Sequence, residues 1–193
     1  MGGERVIFRE IMGIFLDKTL RLRYLTIRFI LRSKTMTTYT SIDVAKRFLE
    51  LAEQDDDYIQ DISHMKLQKL VFFAQLMSVR NGIETPLHSD ETQAWDYGPV
   101  EPKLYKLIKK IDLTNLTLKN KDVFDVFSKA QPIDDTESEE IIQFVWGKFK
   151  NWTAVQLSAL THRKSSPWYV VYTKARYGVI PLSIMHKKMF GDA

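Results

Sequence analysis

Apolar positions along most of this chain recur every three or four residues, the spacing of helices that pack by one face. Val44, Ala45, Phe48, Leu49 and Ala52 form one such stripe. Thr40 or Ser41 is placed to cap it, and Asp43 suits the positive end of its dipole. In "HMKLQKLVFFAQLMS", Leu67, Leu70, Val71, Ala74 and Met77 share one face and Phe72, Leu76 and Val79 another. A helix apolar nearly all round is a buried one, so this stretch is expected to be the central helix, capped by Ser63 and closed at Asn81-Gly82. Lys66 and Lys69 interrupt it and are expected to extend their stems to solvent. Gln68 and Gln75 share one edge, seven residues apart, and are expected to anchor neighbouring loops, because a buried amide needs partners.

Downstream the pattern breaks and resumes. A short strand is expected near Glu91–Trp95. Gly98 precedes Pro99, which disfavours helix there, and Pro102 suits the first turn of a helix whose stripe is Leu104, Leu107, Ile108 and Ile111. Residues 112–136 are looser, with room for a short strand or helix. Glu137–Lys150 reads as a helix with acids at its start and lysines at its end. Thr153 and Gln156 form a capping box ahead of "AVQLSALTH", so His162 falls at a helix C-terminus. Pro167 opens a short helical or extended piece through Arg176, Tyr177-Gly178 punctuates, and "IPLSIMHKKMF" is a last helix with Leu182, Met185 and Met189 facing in. The pattern therefore predicts a mainly α fold: a single compact multi-helix domain, residues 36–193, with at most a small β element.

Residues 1–35 differ. They alternate apolar clusters with arginine and read as a basic amphipathic N-terminal extension, lying outside the domain, packing on the domain or on a partner, or contacting a membrane surface. Met36, followed by "TTYTSIDVAKRF", looks like a natural start. No apolar run in the leader approaches the ~18–20 residues of a membrane span.

Charge sharpens this division. The chain has 28 Lys and Arg against 24 Asp and Glu, a formal net charge of +4. Residues 1–35 hold eight of those bases and three of the acids, which leaves 20 bases and 21 acids for the rest. The near-neutral body lacks the broad basic footprint of a nucleic-acid binder. With no cysteine in the chain, disulfides, thiolate metal sites and cysteine nucleophiles are excluded. The acidic run "EQDDDY" matches no Ca²⁺ loop and reads as a solvated turn.

Candidate chemistry is sparse. There is no glycine-rich phosphate loop, and His64, His88, His162 and His186 have no metal-binding spacing. No cofactor and no metal are expected. A Ser–His–Asp set can be drawn from Ser158 or Ser165, His162 and Asp96, but without a nucleophile elbow. His162 either closes the last helical turn against a loop carbonyl or walls a polar pocket with Trp168 and Trp95. "AWDYGPV" reads as a structural clamp, with Trp95 and Tyr97 packed near the central helix.

Three segments taken together, "HMKLQKLVFFAQ", "AWDYGPVEPKLY" and "LSALTHRKSSPW", resemble the Panacea-domain family, which includes SocA-like antitoxins and phage-associated GepA-like proteins. The resemblance runs over roughly Thr40–Phe190. It implies a helical prokaryotic, cytoplasmic domain that is not an enzyme. Its expected partner is a cognate toxin, blocked directly or delivered by a proteolytic adaptor to an AAA+ protease. The matching positions, taken as motif or partner-binding residues, are Lys66, Gln68, Lys69, Trp95, Tyr97, Gly98, Pro99, His162 and Trp168. The alternative is a small-ligand-binding protein or enzyme with a pocket near His162 and the Trp95/Tyr97 loop.

Overall fold

The computed structural model describes residues 39–55, 62–79, 86–111 and 115–190. The basic extension 1–35, the Met36 start, the Asn81-Gly82 helix end and the second half of the acidic run lie outside them. Eight helices are described: α1 (Ser41–Gln54), α2 (His64–Ser78), α3 (Pro102–Ile108), α4 (Lys121–Phe127), α5 (Thr136–Phe149), α6 (Ala154–Thr161), α7 (Pro167–Tyr172) and α8 (Leu182–Phe190). Between α2 and α3 lie two short strands, β1 (Gln93–Trp95) and β2 (Gly98–Val100). The fold is thus mainly helical with one small antiparallel hairpin, as the periodicity implied.

The caps formed where the side chains called for them. Thr40 and Asp43 make a capping box on α1, Ser63 accepts from the Lys66 amide on α2, and Thr153 and Gln156 make the box on α6. In the looser stretch the described residues include the short helix α4, Lys121–Phe127, capped by Asn120.

Helix α2 is the centre. Leu67, Leu70, Val71, Phe72 and Ala74 are all buried, and α1, α5, α6 and β2 pack around it. Phe73 stacks on Phe149 of α5 with centroids 4.8 Å apart.

Two expectations fail here. Lys66 and Lys69 do not reach solvent: they are 2% and 1% exposed. Because α2 is surrounded, their stems have no surface to run along, and each ammonium finds a backbone acceptor instead. Lys66 donates to the Lys150 carbonyl at 2.6 Å, just past α5, where helix carbonyls lack intrahelical partners. Asp55, within the acidic run, is not simply solvated. Its carboxylate receives the Lys150 ammonium at 2.6 Å and the Trp146 indole N–H at 2.9 Å.

The hairpin has no open edge. On the β1 side, Ala94 and Thr92 exchange backbone bonds with 177–180: the Ala94 amide donates to Gly178 O, Tyr177 to Ala94 O and Ile180 to Thr92 O. On the β2 side, Pro99 has no N–H, the Lys69 ammonium donates to the Pro99 carbonyl at 3.0 Å, and the Glu101 amide donates to the Gln68 side-chain oxygen at 2.8 Å. The central helix satisfies by side chains an edge that would otherwise invite another strand.

Candidate functional site

The turn of the hairpin is where the sequence motifs converge. Asp96 and Tyr97 connect β1 to β2, and Trp95 lies opposite Gly98 in the register. Gly98 takes φ +106°, a region only glycine enters freely. It is also pressed against its neighbours: a Cβ there would sit 2.7 Å from Thr161 Oγ1 and 2.8 Å from Lys69 Cε.

Four carbonyls of this short segment are held by four side chains. The Trp95 carbonyl accepts from the Trp168 indole at 2.8 Å. That of Asp96 faces His162 Nε2 at 3.2 Å. The Ser158 hydroxyl donates to Tyr97 O at 2.9 Å, and Lys69 holds Pro99. The Asp96 carboxylate is fixed separately, by Arg176 at 2.6 Å, Tyr172 at 2.9 Å and Tyr177 at 3.1 Å. Arg176 first, then Tyr172, holds this carboxyl below its ordinary range. With its backbone fixed, the turn projects Tyr97, whose side chain is 77% exposed.

This corrects the picture of "AWDYGPV" as a clamp. The motif is the thing clamped. Tyr97 does not pack near the central helix, and Trp95 is only half-buried, its ring against Tyr105 at 4.8 Å and Tyr177 at 5.8 Å. Gln68 and Gln75 do anchor neighbouring segments: Gln75 grips both the amide and the carbonyl of His88. His162, Trp168 and Trp95 do come together. The imidazole lies 3.9 Å from the Trp168 ring, and Trp168 reaches the Trp95 backbone.

His162 performs the closing role. It is the C-cap of α6, and its Nδ1 lies 2.6 Å from the Ser158 carbonyl while Nε2 faces Asp96 O. Both nitrogens face carbonyl oxygens, and a neutral ring donates to one of them at a time. Ser158 Oγ is 3.4 Å from Nδ1 but donates elsewhere, and the Asp96 carboxylate is bound to Arg176. The Ser158–His162–Asp96 set is not assembled as a charge-relay arrangement.

Sequence reasoning missed a buried polar group beneath the hairpin. His88, Asp90, Thr92 and Glu101 are all buried beside Gln68, Lys69 and Gln75. Glu101 accepts from Thr92 at 2.7 Å and lies 3.8 Å from His88 Nε2. Burial drives the Glu101 carboxyl well above its usual range, with Lys69 and the Thr92 bond opposing. It also lowers Lys69 to about 8 and His88 to about 4. Asp90 accepts from Ser41 and pairs with Lys103; those contacts outweigh its burial and leave it below the ordinary value. The one hint in sequence was four polar residues within an otherwise structural stretch, which composition cannot distinguish from an exposed loop. Among the described residues, no group of three or more His, Asp or Glu is arranged to hold a metal ion. No described helix is long and apolar enough to cross a membrane.

Together these features define a helical domain that immobilises a hairpin turn and displays an aromatic side chain at its tip. The chain belongs to the antitoxin SocA-like, Panacea-domain family, whose model matches residues 67–169, just over half of the chain. That span contains Gln68, Lys69, the whole hairpin, His162 and Trp168. The chain is 30% identical over 114 residues to a curated relative, Antitoxin SocA of Caulobacter vibrioides (strain NA1000 / CB15N). The match covers 57% of this chain and 60% of that protein, less than two thirds of the relative's length. No solved structure matches the chain.

Proposed function

We propose that this protein is an antitoxin-like binding module that neutralises a cognate toxin, with the clasped turn as its anchor. The observation that carries this is the contrast at residues 95–99: a backbone held by Trp168, His162, Ser158 and Lys69, and a Tyr97 side chain left in solvent. An exposed tyrosine on a fixed backbone loses little freedom on binding, which is what an interface anchor requires. Val155, 70% exposed, stands one helical turn from Ser158 and extends the apolar surface beside it. Family membership, and a relative named as an antitoxin, support the reading.

The role is non-enzymatic and carries with it a cytoplasmic location. Direct blocking and delivery of the toxin to an AAA+ protease are its two forms. Both call for co-expression with the product of the neighbouring gene. Relief of that product's growth arrest by the wild-type protein is the expected result; a neighbour that is harmless alone, or arrest that persists, rejects the antitoxin reading. Relief that vanishes in protease-deficient cells assigns the adaptor form, and relief that persists assigns direct blocking.

A further inference from the structure

A second surface lies on the hairpin, apart from Tyr97. Trp95 is the middle of a run of rings, with Tyr105 of α3 on one side and Tyr177 on the other. A cation stands at each end: the Lys109 ammonium is 5.8 Å from the Tyr105 centroid and the Arg176 guanidinium 5.9 Å from that of Tyr177. Tyr177 is exposed and held at φ +62°, a conformation that costs a non-glycine residue energy and persists only where surrounding bonds impose it. Here the bond from its amide to Ala94 O does so.

The carboxylate at the Tyr177 end of these rings, Asp96, is engaged by Arg176, Tyr172 and Tyr177, and the Tyr105 end is basic. Residues 102–110 contain Lys103, Lys106, Lys109 and Lys110 and no acid. Lys103 is engaged by Asp90, and Arg176 by Asp96. Lys106, Lys109 and Lys110 are exposed and have no carboxylate partner among the described residues. In the adjoining segment Glu91 is exposed and Asp96 partly so, the latter bound to Arg176, while Asp90 and Glu101 are buried. Both edges of the hairpin are already satisfied, so a partner cannot join as an added strand. It must be gripped by side chains, and the side chains offered are rings and ammonium groups.

We infer that the Tyr105–Trp95–Tyr177 face with Lys109 and its neighbours Lys106 and Lys110 docks an acidic segment of the partner protein, its carboxylates on the lysines and its apolar groups on the rings. This rests on the reading of the chain as a toxin-binding protein and adds the chemistry of the segment it takes. A phosphate backbone fits less well, because outside residues 1–35 the chain carries 20 bases against 21 acids, without the extended basic track that nucleic acids need.

The test is fluorescence anisotropy on the full chain with three labelled probes: a peptide of alternating glutamate and leucine, its glutamine counterpart, and a single-stranded DNA of equal length. The glutamate peptide should bind more tightly than both others, and its affinity should fall about tenfold as salt rises from about 50 to about 300 mM. The Lys106→Glu/Lys109→Glu/Lys110→Glu variant should lose that binding about tenfold or more while keeping its melting temperature. If that variant is poorly folded, Lys106→Gln/Lys110→Gln replaces it, with a smaller loss expected. Equal binding of the glutamine peptide, tighter binding of DNA, or unchanged binding by the variants overturns the inference. The same variants in the growth assay separate the two readings. Failure of the wild type to relieve arrest rejects the antitoxin role. Full relief by a variant rejects the docking surface and leaves that role standing.

Discussion

The Lys69 ammonium sits 3.0 Å from the Pro99 carbonyl, donating to it from a side chain that is almost wholly buried. One residue of the central helix thereby closes the outer edge of β2 and supports the turn that carries Tyr97. Its cost is visible in its acidity: burial lowers Lys69 to about 8, and Lys66 to about 8 as well, with Glu101 partly opposing the shift at Lys69.

That acidity sets a pH dependence. Between about 8 and the ordinary lysine value of 10.5, the unfolded chain binds more protons at these two lysines than the folded one. Their contribution to stability therefore rises with pH across that window. Urea unfolding at intervals through it should show the rise, and Lys69→Met should remove its own share. An identical pH slope in the two proteins would contradict a depressed Lys69.

Gly98 and Gly147 provide a matched pair. Gly98→Ala meets both a positive φ and a Cβ position 2.7 Å from Thr161 Oγ1, and should destabilise by about 2–4 kcal/mol. Gly147, exposed in α5 with nothing within 4 Å of its Cβ position, should gain about 0.5–1 kcal/mol on substitution by alanine. Thermal melts of the two variants should move in opposite directions.

Trp168→Phe keeps an aromatic ring, though a smaller one, and removes the donor to Trp95 O. A loss of about 1–2 kcal/mol is expected for the carbonyl left behind, together with faster amide exchange in residues 93–100. Tyr97→Ala, at an exposed site, should change stability by less than about 0.5 kcal/mol yet abolish relief of toxicity. A Tyr97→Ala protein that still neutralises the toxin would remove this residue from the interface.

His88 is neutral in the fold, held at about 4 by burial against Asp90's opposing charge. Between its ordinary 6.5 and about 4, the unfolded chain takes up the proton first, so this group's contribution falls as pH falls through the window. Over the same window the raised Glu101 carboxyl works the other way, because the folded state holds its proton. His88→Gln should therefore lose less stability on acidification than the wild type, as read by denaturant midpoints at pH 6.5 and 4.5.

The chain's own pattern determined the helices and their caps. Thr40 with Asp43, Ser63, and Thr153 with Gln156 are local chemistry: a side chain and an amide three residues away, recognisable without knowing the fold. The resemblance carried by three separated motifs likewise pointed to the family that the matched span then showed. Which side chains face solvent was a different matter. Lys66 and Lys69 look like surface residues in any helical projection, and only the packing of α1, α5, α6 and the hairpin around α2 turned them inward. Tyr97 looked like core because it is aromatic, and became exposed because Gly98 and the clasp on carbonyls 95–97 direct the turn outward. Those bonds join residues roughly 30 to 75 positions apart. Local periodicity carries no information at that range, so the buried polar group, the clasp and the basic aromatic face belong to the tertiary structure alone.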